Sequence, residues 1–85
     1  MTNSEIASIF TDIAARLKVK KENIFKIRAY EKAAGFIMDW PVSIKQLAKK
    51  GGLRELPGVG EAISKKITEL VTTGRLEFYE KLKNE

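Results

Sequence analysis

Leu53-Arg54-Glu55-Leu56-Pro57-Gly58-Val59-Gly60-Glu61-Ala62-Ile63-Ser64-Lys65-Lys66-Ile67 reads as a tight turn that opens directly into a helix. Pro57 fixes one backbone angle and donates no amide hydrogen bond. Gly58 and Gly60 admit backbone angles closed to other residues and leave their amides uncovered by side chains. From Glu61 onward Ile63, Ile67, Leu70 and Val71 recur at helical spacing, and Gly74 is the expected stop. A glycine turn feeding a helix N-terminus presents unpaired N–H groups and partial positive charge, an arrangement suited to a phosphate.

The flanking sequence supplies helices around this turn. Thr2-x-x-Glu5 is a capping box ahead of Ile6, Ile9, Phe10, Ile13 and Leu17, which share one helical stripe. The spacing predicts a helix over 3–17. A second helix, opening at Glu22 or Asn23 and ending near Asp39, places Ile27, Tyr30, Ala33, Ala34, Ile37 and Met38 on one arc. Arg28, Glu31, Lys32 and Asp39 lie opposite. Lys26 falls among the apolar positions one turn before Tyr30, so its charge is expected at the rim of the core. Trp40-Pro41 ends this helix. Ser43-x-x-Gln46 predicts a further cap and a short helix to about Lys50, broken by Gly51-Gly52. A turn over 53–56 and a last helix over 75–83, packing through Leu76, Tyr79 and Leu82, complete the chain. No segment alternates with strand periodicity. The expected fold is all-α, one compact bundle of four to five short helices over residues 1–85.

Composition narrows the chemistry. There are no cysteines and no histidines among the 85 residues, so neither disulfides nor a zinc site can staple the fold. A thiol nucleophile and a histidine base are likewise excluded, leaving Lys, Tyr, Ser, Thr and carboxylates. No apolar run reaches membrane-spanning length, so a soluble protein without membrane contact is expected. The net charge of +5 is uneven. Residues 1–53 hold ten Lys/Arg against five Asp/Glu, whereas residues 54–85 hold six of each. The excess gathers over Arg16–Lys32, and a basic flank beside a phosphate-ready turn points to a nucleic-acid backbone, the alternative being a solvated charged face. The two aspartates, Asp12 and Asp39, lie on separate helices, which leaves no aspartate pair for a magnesium site.

Two helices joined through Gly58-Val59-Gly60, with the small Ser64 four residues on, resemble the helix-hairpin-helix DNA-binding element. The resemblance implies that Val59 inserts between the helices and Ser64 lets them approach closely. It also implies that the turn amides of Gly58, Val59 and Gly60 contact DNA phosphates without reading bases. Main-chain carbonyls of Arg54, Leu56 and Val59 would hold a monovalent cation, Na+ or K+. From Ile24 onward the chain is further similar to the N-terminal 8-kDa domain of family X DNA polymerases. The matching residues are Ala29-Tyr30-Glu31-Lys32-Ala33-Ala34, Trp40-Pro41, Leu56-Pro57-Gly58-Val59-Gly60, Lys65-Lys66-Ile67 and Thr73-Gly74-Arg75-Leu76. In that family the domain binds the 5′-phosphate side of a DNA gap, and some members remove a 5′-deoxyribose phosphate during base excision repair.

Carried over by position, that resemblance implies Lys66 as the Schiff-base lysine of a lyase needing no cofactor. It implies Tyr30 beside Lys66, and Lys26 on the 5′-phosphate. Two positions depart from the family pattern. Ala62 replaces a second phosphate-binding lysine, and Phe25 replaces a base-stacking histidine whose role its ring face still suits. About three extra residues fall near Gly51-Gly52. The implied whole is the N-terminal part of a longer repair polymerase, a monomer that binds gapped or nicked DNA whatever its sequence. Its place would be the nucleoid-bearing cytoplasm of a prokaryote or the nucleus of a eukaryote. A helix-hairpin-helix module that only tethers a partner to DNA is the non-catalytic alternative, and a protein-interaction domain a third.

The helical period gives Lys66 some independent support. It falls roughly 85° from the centre of the Ile63–Ile67–Leu70–Val71 stripe, whereas Lys65 falls roughly 175° away. Lys65 is therefore expected in water and Lys66 at the border of the core. An amine nucleophile must be neutral to attack, and a partly desolvated border beside other cations favours that form.

Overall fold

The computed structural model describes all residues, 1–85. Five α-helices follow one another: α1 Asn3–Val19, α2 Ile24–Asp39, α3 Ile44–Lys49, α4 Glu61–Thr73 and α5 Glu77–Lys83, with a 3-10 turn at Leu53–Glu55 between α3 and α4. There are no strands, as the absence of alternating periodicity requires.

The caps explain the boundaries. Thr2 and Glu5 form the reciprocal capping box of α1, the Thr2 hydroxyl accepting from the Glu5 amide and the Glu5 carboxylate accepting from the Thr2 amide. α1 runs two residues past Leu17 and closes on Lys21, the one non-glycine residue with positive φ, at 58°. The amide of Glu22 donates to the Leu17 carbonyl and that of Lys21 to Lys18, the paired bonds of a left-handed helix stop. Asn23 caps α2 through the Phe25 amide. Ser43 caps α3, but Gln46 makes no return bond, so only half of that capping box forms. Gly74 ends α4 at φ 79°. α5 starts two residues later than the spacing suggests, where the Glu69 carboxylate accepts from the Glu77 amide.

One apolar cluster runs through every helix. Ile6, Phe10, Ile13 and Leu17 of α1 face Ile27, Tyr30, Ala33, Ala34 and Ile37 of α2, and Ala7 and Ala14 broaden the contact. Ile63, Ile67 and Leu70 bring α4 onto this pair, and Leu76 and Leu82 bring α5. Val71 and Ile9 stay at the border. Met38, expected on the apolar arc of α2, is exposed, because α3 docks through Ile44 and leaves that end of α2 open. Asn3 secures the 40–44 connection, its amide donating to the Val42 carbonyl at 2.8 Å and its oxygen accepting from the Ile44 amide at 2.8 Å.

Candidate nucleic-acid interface

The hairpin turn is built as its sequence suggests, with two corrections: the Val59 amide, expected on phosphate, is engaged within the turn, and Gly60 has an ordinary backbone. Val59 is buried between the 3-10 turn and α4, and its amide donates to the Leu56 carbonyl at 3.2 Å. Gly58 has φ 76°, a left-handed conformation that disfavours any side chain. Gly60 does not need its glycine for the backbone: φ −89° and ψ −174° are open to every residue, and a Cβ there would meet no atom within 4 Å. What the glycine preserves is open space over the start of α4. There the amides of Glu61, Ala62 and Ile63 have no intramolecular acceptor, and Gly60 provides no side-chain cap. These three N–H groups and the helix dipole form a bare anion grip.

The carbonyls of Arg54 and Val59 also accept no hydrogen bond, and that of Leu56 takes only the Val59 amide. An all-oxygen set of this kind fits a hard monovalent cation better than a transition metal.

Beside the hairpin lies a cavity of about 470 Å³. The structure brings Lys26, Tyr30, Ala62 and Lys66 together on its wall. Lys65 points to water and Lys66 is half-buried, as the helical period requires. Four lysines line the space. Lys20 pairs with Glu85, Lys26 with Glu22 at 3.9 Å, and Lys81 with Glu77 at 3.4 Å. Lys66 alone has no carboxylate partner. Its ammonium lies instead over the ring of Phe78, 5.0 Å from the centroid.

Tyr30 is the back wall rather than a free side chain. It is 8% exposed and sits between Phe10, at 5.8 Å, and Phe78, at 6.1 Å, in near-parallel stacks. Burial pushes its phenol above the ordinary range, so at neutral pH it is a proton donor and not a base. Phe25 is 74% exposed at the start of α2 and does not line the cavity. Phe78 is the residue that sequence periodicity misses. Its neighbours Leu76, Tyr79 and Leu82 carry the apolar spacing of α5, which leaves Phe78 off the stripe; only the docking of α5 turns it onto Tyr30 and Lys66.

Fold and site together define a small all-helical module with a glycine hairpin, acceptor-free amides at the start of the helix that follows it, and a lysine-lined cavity next to it. A sequence model of the helix-hairpin-helix domain matches residues 1–76, and the chain belongs to that family. Helix-hairpin-helix domains generally bind DNA.

Proposed function

We propose that this protein grips nicked or gapped DNA at its 5′-phosphate side, as the DNA-binding domain of a family X repair polymerase, and that Lys66 gives it 5′-deoxyribose-phosphate lyase activity. The observation that carries this reading is the position of Lys66. It is the lysine without a carboxylate partner on a cavity wall shared with Lys26 and Tyr30, on the same helix as the phosphate grip. The hairpin amides hold a backbone phosphate and Lys26 attracts the terminal one; no contact reads a base, so binding is sequence-independent. A cation on the Arg54, Leu56 and Val59 carbonyls would add positive charge under the bound phosphate. The domain acts as a monomer, in the nucleoid or the nucleus according to its source.

In the lyase step the neutral Lys66 amine adds to the C1′ aldehyde of the opened sugar, and loss of water gives an imine. The imine acidifies the C2′ hydrogen. Departure of that proton to solvent forms the C2′–C3′ double bond and breaks C3′–O, expelling the DNA strand with its 5′-phosphate. Hydrolysis of the imine then frees Lys66. Tyr30, protonated and buried on the same cavity wall, would act as a proton donor and not as a base.

Borohydride trapping on a gapped duplex bearing a 5′-deoxyribose phosphate tests the assignment. Wild type should give a covalent adduct that Lys66→Ala lacks, and equal adduct from both would remove Lys66 from the mechanism. Titration against gapped duplexes with and without the 5′-phosphate tests the pocket separately. Ala62 and the Phe78 ring beneath Lys66 favour a second reading, a non-catalytic tether. That reading expects equal binding to gapped and intact duplex and no adduct.

A further inference from the structure

We infer that Lys32 completes the hairpin's phosphate grip, supplying from α2 the positive charge that Ala62 does not. This rests on the DNA-binding reading of the hairpin. A Cβ built on Gly58 would lie 3.1 Å from Lys32 Cδ, 3.2 Å from Cε and 3.3 Å from Cγ. Three consecutive carbons of the lysine stem are therefore laid against the turn, although the helical wheel assigns Lys32 to the solvated side of α2. One further bond of about 1.5 Å on the lysine, and one from Cβ to Cα, put the ammonium within about 6 Å of the Gly58 Cα.

That ammonium is uncommitted. Lys32 has no carboxylate within 4 Å, and the adjacent Glu31 is paired with Lys18 at 2.7 Å. The turn it lies across leads into the acceptor-free amides of Glu61, Ala62 and Ile63. The lysine stem lies against the turn that leads into these free amides, and a phosphate oxygen bound there would be a common partner for cation and amides. The stem packs on apolar backbone surface while the charge stays in water, so the cation is positioned without the cost of burial. Gly58 is what allows the approach: any side chain at that position would displace the lysine as well as strain the backbone.

Anisotropy titrations of a 5′-phosphorylated gapped duplex over a salt series test this. Lys32→Met keeps the stem and removes the charge. It should weaken binding about 3- to 10-fold and reduce the slope of log K against log salt by about 0.9, one counterion fewer. Lys32→Arg should keep the wild-type slope. Lys83→Met removes a charge already paired with Glu80 outside the cavity and hairpin, and should change the slope far less. Equal slopes for Lys32→Met and Lys83→Met would overturn the inference. If Lys32→Met loses its helical circular dichroism, Lys32→Gln takes its place with the same expectations. A wild-type protein that does not bind the duplex at any salt level would refute the DNA-binding reading itself, an outcome distinct from a wild type that binds normally beside an unaffected Lys32→Met.

Discussion

Gly60→Ser separates what the hairpin does for the fold from what it does for a ligand. Residue 60 is the N-cap of α4, at φ −89° and ψ −174°, and a new Cβ meets nothing within 4 Å. Serine therefore fits without strain. Restricting the unfolded chain stabilises the protein by about 0.4–1 kcal/mol. The serine hydroxyl can accept from the amide of Ala62 or Ile63, worth a few tenths of a kcal/mol over glycine. The sum is about 1 kcal/mol, or a Tm rise of about 4–8 °C for a domain of this size. The same hydroxyl would occupy an amide that the proposed phosphate contact uses. Losing one hydrogen bond to a charged group costs about 1.5–3 kcal/mol, so DNA affinity should fall roughly 10- to 100-fold. Thermal denaturation by circular dichroism and anisotropy with gapped duplex measure the two effects on one sample. A higher Tm with unchanged affinity would refute the assignment of these amides to DNA, and a lower Tm would refute the account of the turn.

Three further substitutions probe the scaffold. Lys21→Gly removes the left-handed strain at the end of α1 and should raise stability by about 1 kcal/mol in urea denaturation, with m unchanged. Asn3→Ala orphans the Ile44 amide and two carbonyl contacts; a loss of about 1–3 kcal/mol is expected, with faster hydrogen exchange at Ile44. Asp12 accepts from the Tyr79 hydroxyl and, at 2.9 Å, from Arg16, which holds its carboxyl below the ordinary range. Its folded value is the lower one, so its contribution is full above about pH 4 and fades as pH falls through the folded value. Tyr79→Phe removes the largest cause of that shift; the Tm drop between pH 5 and pH 2 should be smaller in the variant than in wild type.

Local rules account for most of the scaffold, and long-range contacts account for what they miss. The Thr2–Glu5 box, Asn23, Gly74 and the stripes of α1, α2 and α4 are decided within a few residues of sequence, and apart from the exposed Met38 each appears where spacing puts it. The border position of Lys66 and the solvated position of Lys65 follow from the same period. By contrast Phe78 reaches Tyr30, and Lys32 reaches Gly58, across separations that no periodicity registers. Lys21 breaks the rule that left-handed stops take glycine, and Asn3 acts on a loop forty residues away. Gly60 shows the reverse error. Its sequence suggests a strained backbone, whereas the structure shows an ordinary one, so the glycine is explained by what approaches from outside.

The hairpin and Lys66 are separated by a fixed length, and DNA must match it. Six residues of helix at 1.5 Å each put Lys66 about 9 Å beyond Gly60 along α4. Along the duplex axis a DNA strand advances about 3.4 Å per nucleotide, the spacing that applies with α4 laid along that axis. A 5′ terminus seated in the cavity therefore places the second or third internal phosphate at the hairpin amides. Replacing single phosphates of the downstream strand by neutral methylphosphonates should weaken binding most at those two positions and little further along. Because the grip is made by backbone amides, the position of that minimum should not move in Lys66→Ala, even where borohydride adduct is lost. A flat profile would mean that hairpin and cavity do not engage one strand, and the proposed lyase reading would lose the anchor for its substrate. A minimum that shifts in Lys66→Ala would instead make the lysine, and not the turn, the element that sets the register on DNA.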